Sequence, residues 1–317
     1  MSVPVAVAEQ VPTGLATQDV RQDRGLGTAY ERYCFYQLVD LWATRYGVET
    51  ALEGPLDGMA GITGVHCAGL ARRGIQVSSF VPTVEKAATA RAVYDLNGGK
   101  ASSRVQVVTD PMQIRDLPVS DMVLAYHALP QVADWRAYLK LLAKLARKIL
   151  VVTVCNPDNW GVEVIRFAGR LRGIGGLEPP EVWRADVLGP ALWELGQVRE
   201  HVYFDCPWWP DMPDLPGLKL AAGQSVRDRV RQLFRRSKEV PDQGEEAHLA
   251  KRYVYGPERW PYFGGPGWTD DLLPALLRHP GFDGAQTKLL PRLAHLHAFV
   301  VDVQPRTPQA RRRLEQA

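Results

Sequence analysis

The stretch Thr50-Ala51-Leu52-Glu53-Gly54-Pro55-Leu56-Asp57-Gly58-Met59-Ala60-Gly61-Ile62-Thr63-Gly64, followed by Val65 to Gly74, decides how the chain is read. Thr50 to Leu52 is a short strand candidate that runs into a turn with glycine at positions 54, 58, 61 and 64. Glycine adopts positive φ at no steric cost and lets another group come close to the backbone. A strand leaving through such a turn can therefore bend around a ligand. Val65 to Arg73 reads as a helix closed by Gly74, and Ile75 to Phe80 as a second strand. A helix that returns the chain between two strands is the unit of a parallel sheet.

The same alternation extends in both directions. Upstream, Tyr33, Tyr36, Leu38, Leu41, Trp42 and Tyr46 recur at helical spacing, which predicts an amphipathic helix over Ala29 to Tyr46 ending at Gly47. Downstream, Val84 to Leu96 reads as a helix stopped by Asn97-Gly98-Gly99, with strands at Val105 to Val108 and Met122 to Tyr126. A helix at Trp135 to Arg147 and a β-branched strand at Ile149 to Val154 follow. Helices at Trp160 to Leu171 and Ala185 to Leu195, and a strand at Arg199 to Phe204, continue the pattern. The chain then enters an insertion over 207–268 rich in proline, aromatics and charge. A helix at Asp270 to Arg278 and a strand at Leu296 to Val303 close it. The expected organisation is a lead-in at 1–28, a core at 29–206 completed by 269–304, and a basic tail at 305–317.

Composition narrows the function classes. The 317 residues carry a formal net charge of only +3, so the whole-protein field points to neither nucleic acid nor an anionic membrane. No apolar stretch reaches the roughly 18–20 residues that span a bilayer. Met1 to Gly14 lacks the basic start and apolar run of a signal peptide, which gives a cytoplasmic expectation. Cys34, Cys67, Cys155 and Cys206 are far apart and form no C-x-x-C pair, so buried thiols are expected rather than a disulfide framework or zinc knuckle. His295 and His297 alternate on one strand without a nearby third ligand, and no metal site is expected. The basic run Arg227, Arg229, Arg231, Arg235, Arg236 and Lys238 is diluted by Asp228 and Glu239; it reads as a solvated helix face, and nucleic acid is not an expected partner.

The segments Ala51-Leu52-Glu53-Gly54 with Gly58, Gly61 and Gly64, then Leu70-Ala71-Arg72-Arg73-Gly74, resemble the first motif of the class I S-adenosylmethionine (SAM)-dependent methyltransferases. Asp121-Met122-Val123-Leu124-Ala125-Tyr126-His127-Ala128-Leu129 is similar to that family's fourth-strand segment, and Lys148 to Pro157 to its fifth strand and loop. The resemblance implies a Rossmann-like α/β fold. Its seven-stranded sheet is mostly parallel, with helices on both faces and the last two strands in an antiparallel hairpin. It implies SAM as cofactor. Glu53 would orient the amino group, Gly54, Gly58 and Gly61 would admit the nucleoside, and the first helix would offer its positive end to the carboxylate. Asp110, with Met112 beside it, falls where the family contacts the adenine amine. Tyr126 and His127 would lie beneath the methyl group as catalytic residues.

Two features depart from the family pattern. The glycine turn is longer than a compact G-x-G-x-G and is stiffened by Pro55. Val81 stands where the family places an acid for the ribose hydroxyls. A valine accepts no hydrogen bond, and each hydroxyl buried unpaired costs about 1–3 kcal/mol. Thr83 or Glu85 are the nearby polar substitutes.

Two functions follow from these residues. One is methyl transfer to a small aromatic or apolar acceptor, favoured by Glu53, the turn glycines and Asp110. The other is a methyltransferase-fold subunit without SAM, serving structure or protein interaction, favoured by Val81 and the long turn. His127 reads either as a base or substrate contact, or as a polar residue bonded to backbone at a strand end. His66 reads as structural. The rings of Pro207-Trp208-Trp209-Pro210 and Trp260-Pro261-Tyr262-Phe263 suit a lid over a small-molecule acceptor, a surface for a partner protein, or packing over the sheet edge.

Overall fold

Alternating burial would mark a strand with one face in water, but Ser120–Tyr126 (β4) is buried at every position, as is Ile149 to Cys155 within Ala146–Cys155 (β5). Continuous apolar runs of this kind belong to the centre of a sheet covered on both faces. The computed structural model describes residues 26–54, 66–96, 99–171, 173, 178–205 and 290–304. The other strands are Thr50–Glu53 (β1), Gln76–Val81 (β2), Ser103–Val107 (β3), Gln197–Phe204 (β6) and Leu296–Asp302 (β7). They form one seven-stranded sheet in the order β3-β2-β1-β4-β5-β7-β6. Strands β1 to β5 are mutually parallel, and β7 runs antiparallel to both β5 and β6. The expected architecture, with its closing antiparallel hairpin, is present.

The helices among the described residues are Leu26–Arg45 (α1), Ala68–Arg72 (α2), Val84–Leu96 (α3), Trp135–Leu145 (α4), Trp160–Leu171 (α5), Ala185–Trp193 (α6) and Leu290–Leu293 (α7). Right-handed crossovers place α2 and α3, which step from β1 outward to β3, on one face; α4, which steps from β4 the other way to β5, lies on the opposite face. Sheet order therefore reverses between β1 and β4. In open parallel sheets that switch point is where the strand ends leave room for a ligand.

Several boundaries differ from expectation. The first helix begins at Leu26, inside the segment read as lead-in. Its buried face comprises Cys34, Phe35, Tyr36, Val39, Trp42 and Ala43, whereas Leu41 is 47% exposed. The sequence reading missed Phe35 and Val39 because aromatics on neighbouring positions blur the period. The helix expected to reach Arg147 stops at Leu145, and β5 starts at once with Ala146, where the extended φ and ψ take over. The helix after the glycine turn is reduced to five described residues, too short to sum much of a dipole. The insertion at 207–268, the helix at Asp270 to Arg278 and the tail at 305–317 lie outside the described residues. Among the described residues no helix is long and apolar enough to cross a membrane.

Candidate functional site at the ends of β1 and β4

Glu53 closes β1 and is 1% exposed. Its Oε1 accepts from His66 Nδ1 at 2.7 Å. Its Oε2 accepts from the Cys67 backbone N–H at 3.1 Å and from the Tyr94 hydroxyl at 3.3 Å. Tyr94 in turn shares a 2.6 Å hydrogen bond with Ser79 of β2. A carboxylate with acceptors only matches this set of donors. Burial and the neighbouring Glu53 push the Cys67 thiol and the Tyr94 phenol well up, so both keep their protons.

Gly54 follows with φ of 149°, and an added Cβ would sit 2.6 Å from the Phe80 ring and 2.7 Å from the Phe80 carbonyl oxygen. The close approach that demands glycine here is to Phe80. Gly58 and Gly61 lie outside the described residues.

Across the switch point, β4 ends at Tyr126 and the chain turns at His127, which takes φ of 50°. Histidine is among the few non-glycine residues enriched in that region. Tyr126 gives its hydroxyl to Glu31 of α1, so what it offers the site is its ring. That ring stacks on His66 at 4.1 Å and meets His127 edge-on at 4.5 Å. Phe35 of α1 closes the group at 4.6 Å from Tyr126 and 5.3 Å from His66. His66 and His127 are 5% and 2% exposed, and each has a buried Nε2 with no hydrogen-bond partner. His127 Nδ1 has the Cys155 sulfur at 3.7 Å. Burial first, then His66 and His297, lower the His127 pKa to about 3. An imidazole so resistant to protonation is a poor general base at neutral pH, but it can orient a bound group as a neutral donor or acceptor. Tyr138 Oη and Trp183 Nε1 are also buried without partners, on the helix Trp135–Leu145 and the turn Glu181–Trp183.

Asp110 and Met112 stand beyond β3 at the sheet edge. Asp110 is exposed and caps the 3-10 turn Pro111–Asp116, accepting from Met112 N at 2.9 Å; Met112 is 37% exposed. Val81 is fully buried against Ala87 and Ala90 of α3. Of the substitutes near it, Thr83 accepts from Lys86 N at 3.3 Å as a cap of α3, and Glu85 is exposed. Among the described residues no group of three or more His, Cys, Asp or Glu side chains could hold an ion.

The sequence thus named Glu53, Gly54, Tyr126 and His127, which the fold brings to one place, and Asp110 and Met112, which it places at the edge. It treated His66 as structural, read Cys67 only as a buried thiol and passed over Tyr94. The only sequence signal for His66 was its position just past the last turn glycine. The residues present fit a SAM-type group in part. Toward β1 and β4 the buried Nε2 atoms of His66 and His127 lack hydrogen-bond partners. Val81, where the resemblance puts the acid for the ribose, is packed in hydrocarbon.

No family model matches the chain, and no curated protein matches it. Among solved structures, a magnesium protoporphyrin IX methyltransferase from Synechocystis PCC 6803 with bound SAH is 18% identical, covering 63% of this chain and 92% of that one, at a TM-score of 0.45. An N-methyltransferase from Bradyrhizobium japonicum WM9 in complex with S-adenosyl-L-homocysteine is 17% identical over 60% of this chain and 89% of that one, at 0.40. A TehB-like SAM-dependent methyltransferase from Corynebacterium glutamicum is 13% identical over 55% and 78%, at 0.37. By its own strand order and its antiparallel β7, the chain has the Rossmann-like fold of the class I SAM-dependent methyltransferases, in a divergent form.

Proposed function

We propose that this protein is a SAM-dependent methyltransferase acting on a small aromatic or apolar acceptor. The observation that carries the reading is the pair of buried, unpartnered Nε2 atoms of His66 and His127 on either side of the Tyr126 ring, at the switch point of the sheet. Buried polar atoms are nearly always hydrogen-bonded, and two exceptions sharing one neighbour point to a ligand that completes them. When bound, SAM supplies a methyl group on a positively charged sulfur. The residues that would hold it are Gly54, Gly58 and Gly61 of the turn, the Glu53 and His66 pair, and Asp110 with Met112 toward the base.

The chain's own contribution is placement. The Tyr126 ring, fixed through its hydroxyl on Glu31 and packed against Phe35, holds His66 and His127 in place around it. His127, neutral at working pH, offers one ring nitrogen to orient the acceptor's heteroatom. Positioning of this kind suits an in-line displacement, where alignment supplies much of the rate. The acceptor, or a protein partner, is assigned to the 207–268 insertion on the character of its sequence.

A second reading, a methyltransferase-fold subunit without SAM, draws support from the packing of Val81 on Ala87 and Ala90. Calorimetric titration with SAM and S-adenosylhomocysteine separates the two. Heat of binding and a thermal shift are expected; neither at millimolar ligand leaves the second reading standing.

A further inference from the structure

We propose that the outward side of α5 is the docking surface for this chain's own segment 268–289, seated through Leu272-Leu273-Pro274-Ala275-Leu276-Leu277. This docking depends neither on methyl transfer nor on SAM. α5 carries apolar side chains on two sides. Val162 and Ile165 are buried on the inward side, with Gly161 and Gly169 beside them. Val164, Phe167 and Leu171 are 50%, 65% and 74% exposed. At about 100° per residue these three fall within roughly 60° of one another, so they form one stripe. The other exposed large apolar residues, Leu41, Val84, Val107, Met112, Val119 and Trp193, are each on a different part of the chain. Single exposed apolar residues are ordinary, whereas three on one side of a helix make a patch.

The path of the chain selects the occupant. The described residues stop at Asp205 and resume at Leu290, and the returning chain is bonded to the start of α5. Asn156 Nδ2 donates to the Pro291 and Ala294 carbonyls at 2.6 and 2.7 Å. Asn159 Nδ2 donates to those of Leu293 and Ala294 at 2.9 and 3.1 Å. Arg292 reaches Glu163, the neighbour of Val164, at 2.9 Å. Leu277 lies thirteen residues before Leu290. That length spans up to roughly 45 Å, whereas the whole of α5 is about 18 Å long, so every part of the stripe is within reach. The run 272–277 is also the densest aliphatic stretch between Asp205 and Leu290.

Size favours a tethered occupant over a second copy. One side of a helix of this length offers on the order of 200 Å², against about 800 Å² per partner in a stable dimer. A tether raises the effective concentration of the segment to about the millimolar range, so a small apolar contact suffices.

The test is photochemical cross-linking in the full chain. Arg170→Cys, on the exposed rim of the stripe, is made together with Cys206→Ser and labelled with benzophenone maleimide; Cys34, Cys67 and Cys155 are buried. Irradiation and peptide mapping should join the label to residues 268–289 within a single chain. Adding Phe167→Asp, at a position too exposed to carry the fold, should cut that product about fivefold or more. A label joined to a second chain, to other residues only, or to nothing overturns the proposal. So does a yield that Phe167→Asp leaves unchanged. Should the labelled chain not fold, tryptic cleavage after Arg278 decides. Phe167→Asp should speed that cleavage about fivefold over the wild type, and equal rates overturn the docking.

Discussion

Two groups of buried or half-buried histidines lie in and beside this sheet, and they differ in how their nitrogens are used. Between β6 and β7, His297 Nε2–H donates to the Trp183 carbonyl at 2.8 Å, which leaves its Nδ1 to accept from His201 Nε2–H at 2.9 Å. The His201 ring stacks on Phe299 at 4.1 Å, and His295 Nδ1 lies 3.0 Å from the Asp205 carboxylate. None of these three rings has a nitrogen both buried and unpartnered. Beside β1 and β4, His66 and His127 are as deeply buried, and each has one. Burial alone therefore does not separate the two groups. The use of the ring nitrogens does, and an unmade buried hydrogen bond costs about 1–3 kcal/mol.

Acid should test both groups at once and give the largest effect. Unfolded histidine titrates near 6.5, whereas burial lowers His127 to about 3 and His201 and His297 to about 4. Between those values the unfolded chain binds protons that the folded chain refuses. Stability is then full above about pH 6.5 and falls as pH drops toward 4, by up to about 1.4 kcal/mol per pH unit for each fully buried ring. His201 contributes less, being only partly buried, and Asp205, pushed up by burial, opposes the trend. Urea unfolding at pH 7.5 and pH 5 measures the slope, and a flat profile would contradict the neutral state of these rings.

Glu53→Ala comes next, at about 3–5 kcal/mol, since it strands His66, Cys67 N–H and Tyr94 without their common acceptor. Gly54→Ala is expected to cost about 3 kcal/mol, from contact with Phe80 and a φ that favours glycine. An unchanged denaturation midpoint would mean that Phe80 can move aside. On the other side of the comparison, His297→Phe should cost about 2 kcal/mol through the lost Trp183 and His201 bonds, and leave S-adenosylhomocysteine affinity untouched. The smallest stability effect is expected for His127→Phe, about 1 kcal/mol, which comes from a bulky residue at φ of 50° and not from the nitrogen, already unpartnered. A loss comparable to that of His297→Phe would erase the distinction between the two groups.

Particular residues show what was legible and what was not. The order of strands and helices could be read because β-branched runs such as Ile149 to Val154 and stops such as Gly47 and Gly74 are local signals. Gly54 was singled out for the approach of a ligand, whereas the neighbour that requires a glycine there, Phe80, comes from the next strand. Glu53 was recognised as the acid closing β1, while its partner His66, thirteen residues on, carried no periodic mark. His201 went unnoticed because its bond to His297 depends on β6 and β7 lying side by side.

The amino-acid sequence by itself determined the α/β alternation and the parallel core, since hydrophobic period, β-branching and glycine stops act within a few residues of one another; the closing antiparallel pair was expected only from the family resemblance. Only the tertiary structure decided which polar groups face each other. Glu53 was joined to His66, Cys67 and Tyr94, and His297 to Trp183, by chain crossovers that bring together residues 13, 14, 41 and 114 positions apart. Hydrogen bonds reach about 3 Å, so their pairing is fixed by packing and not by any local pattern.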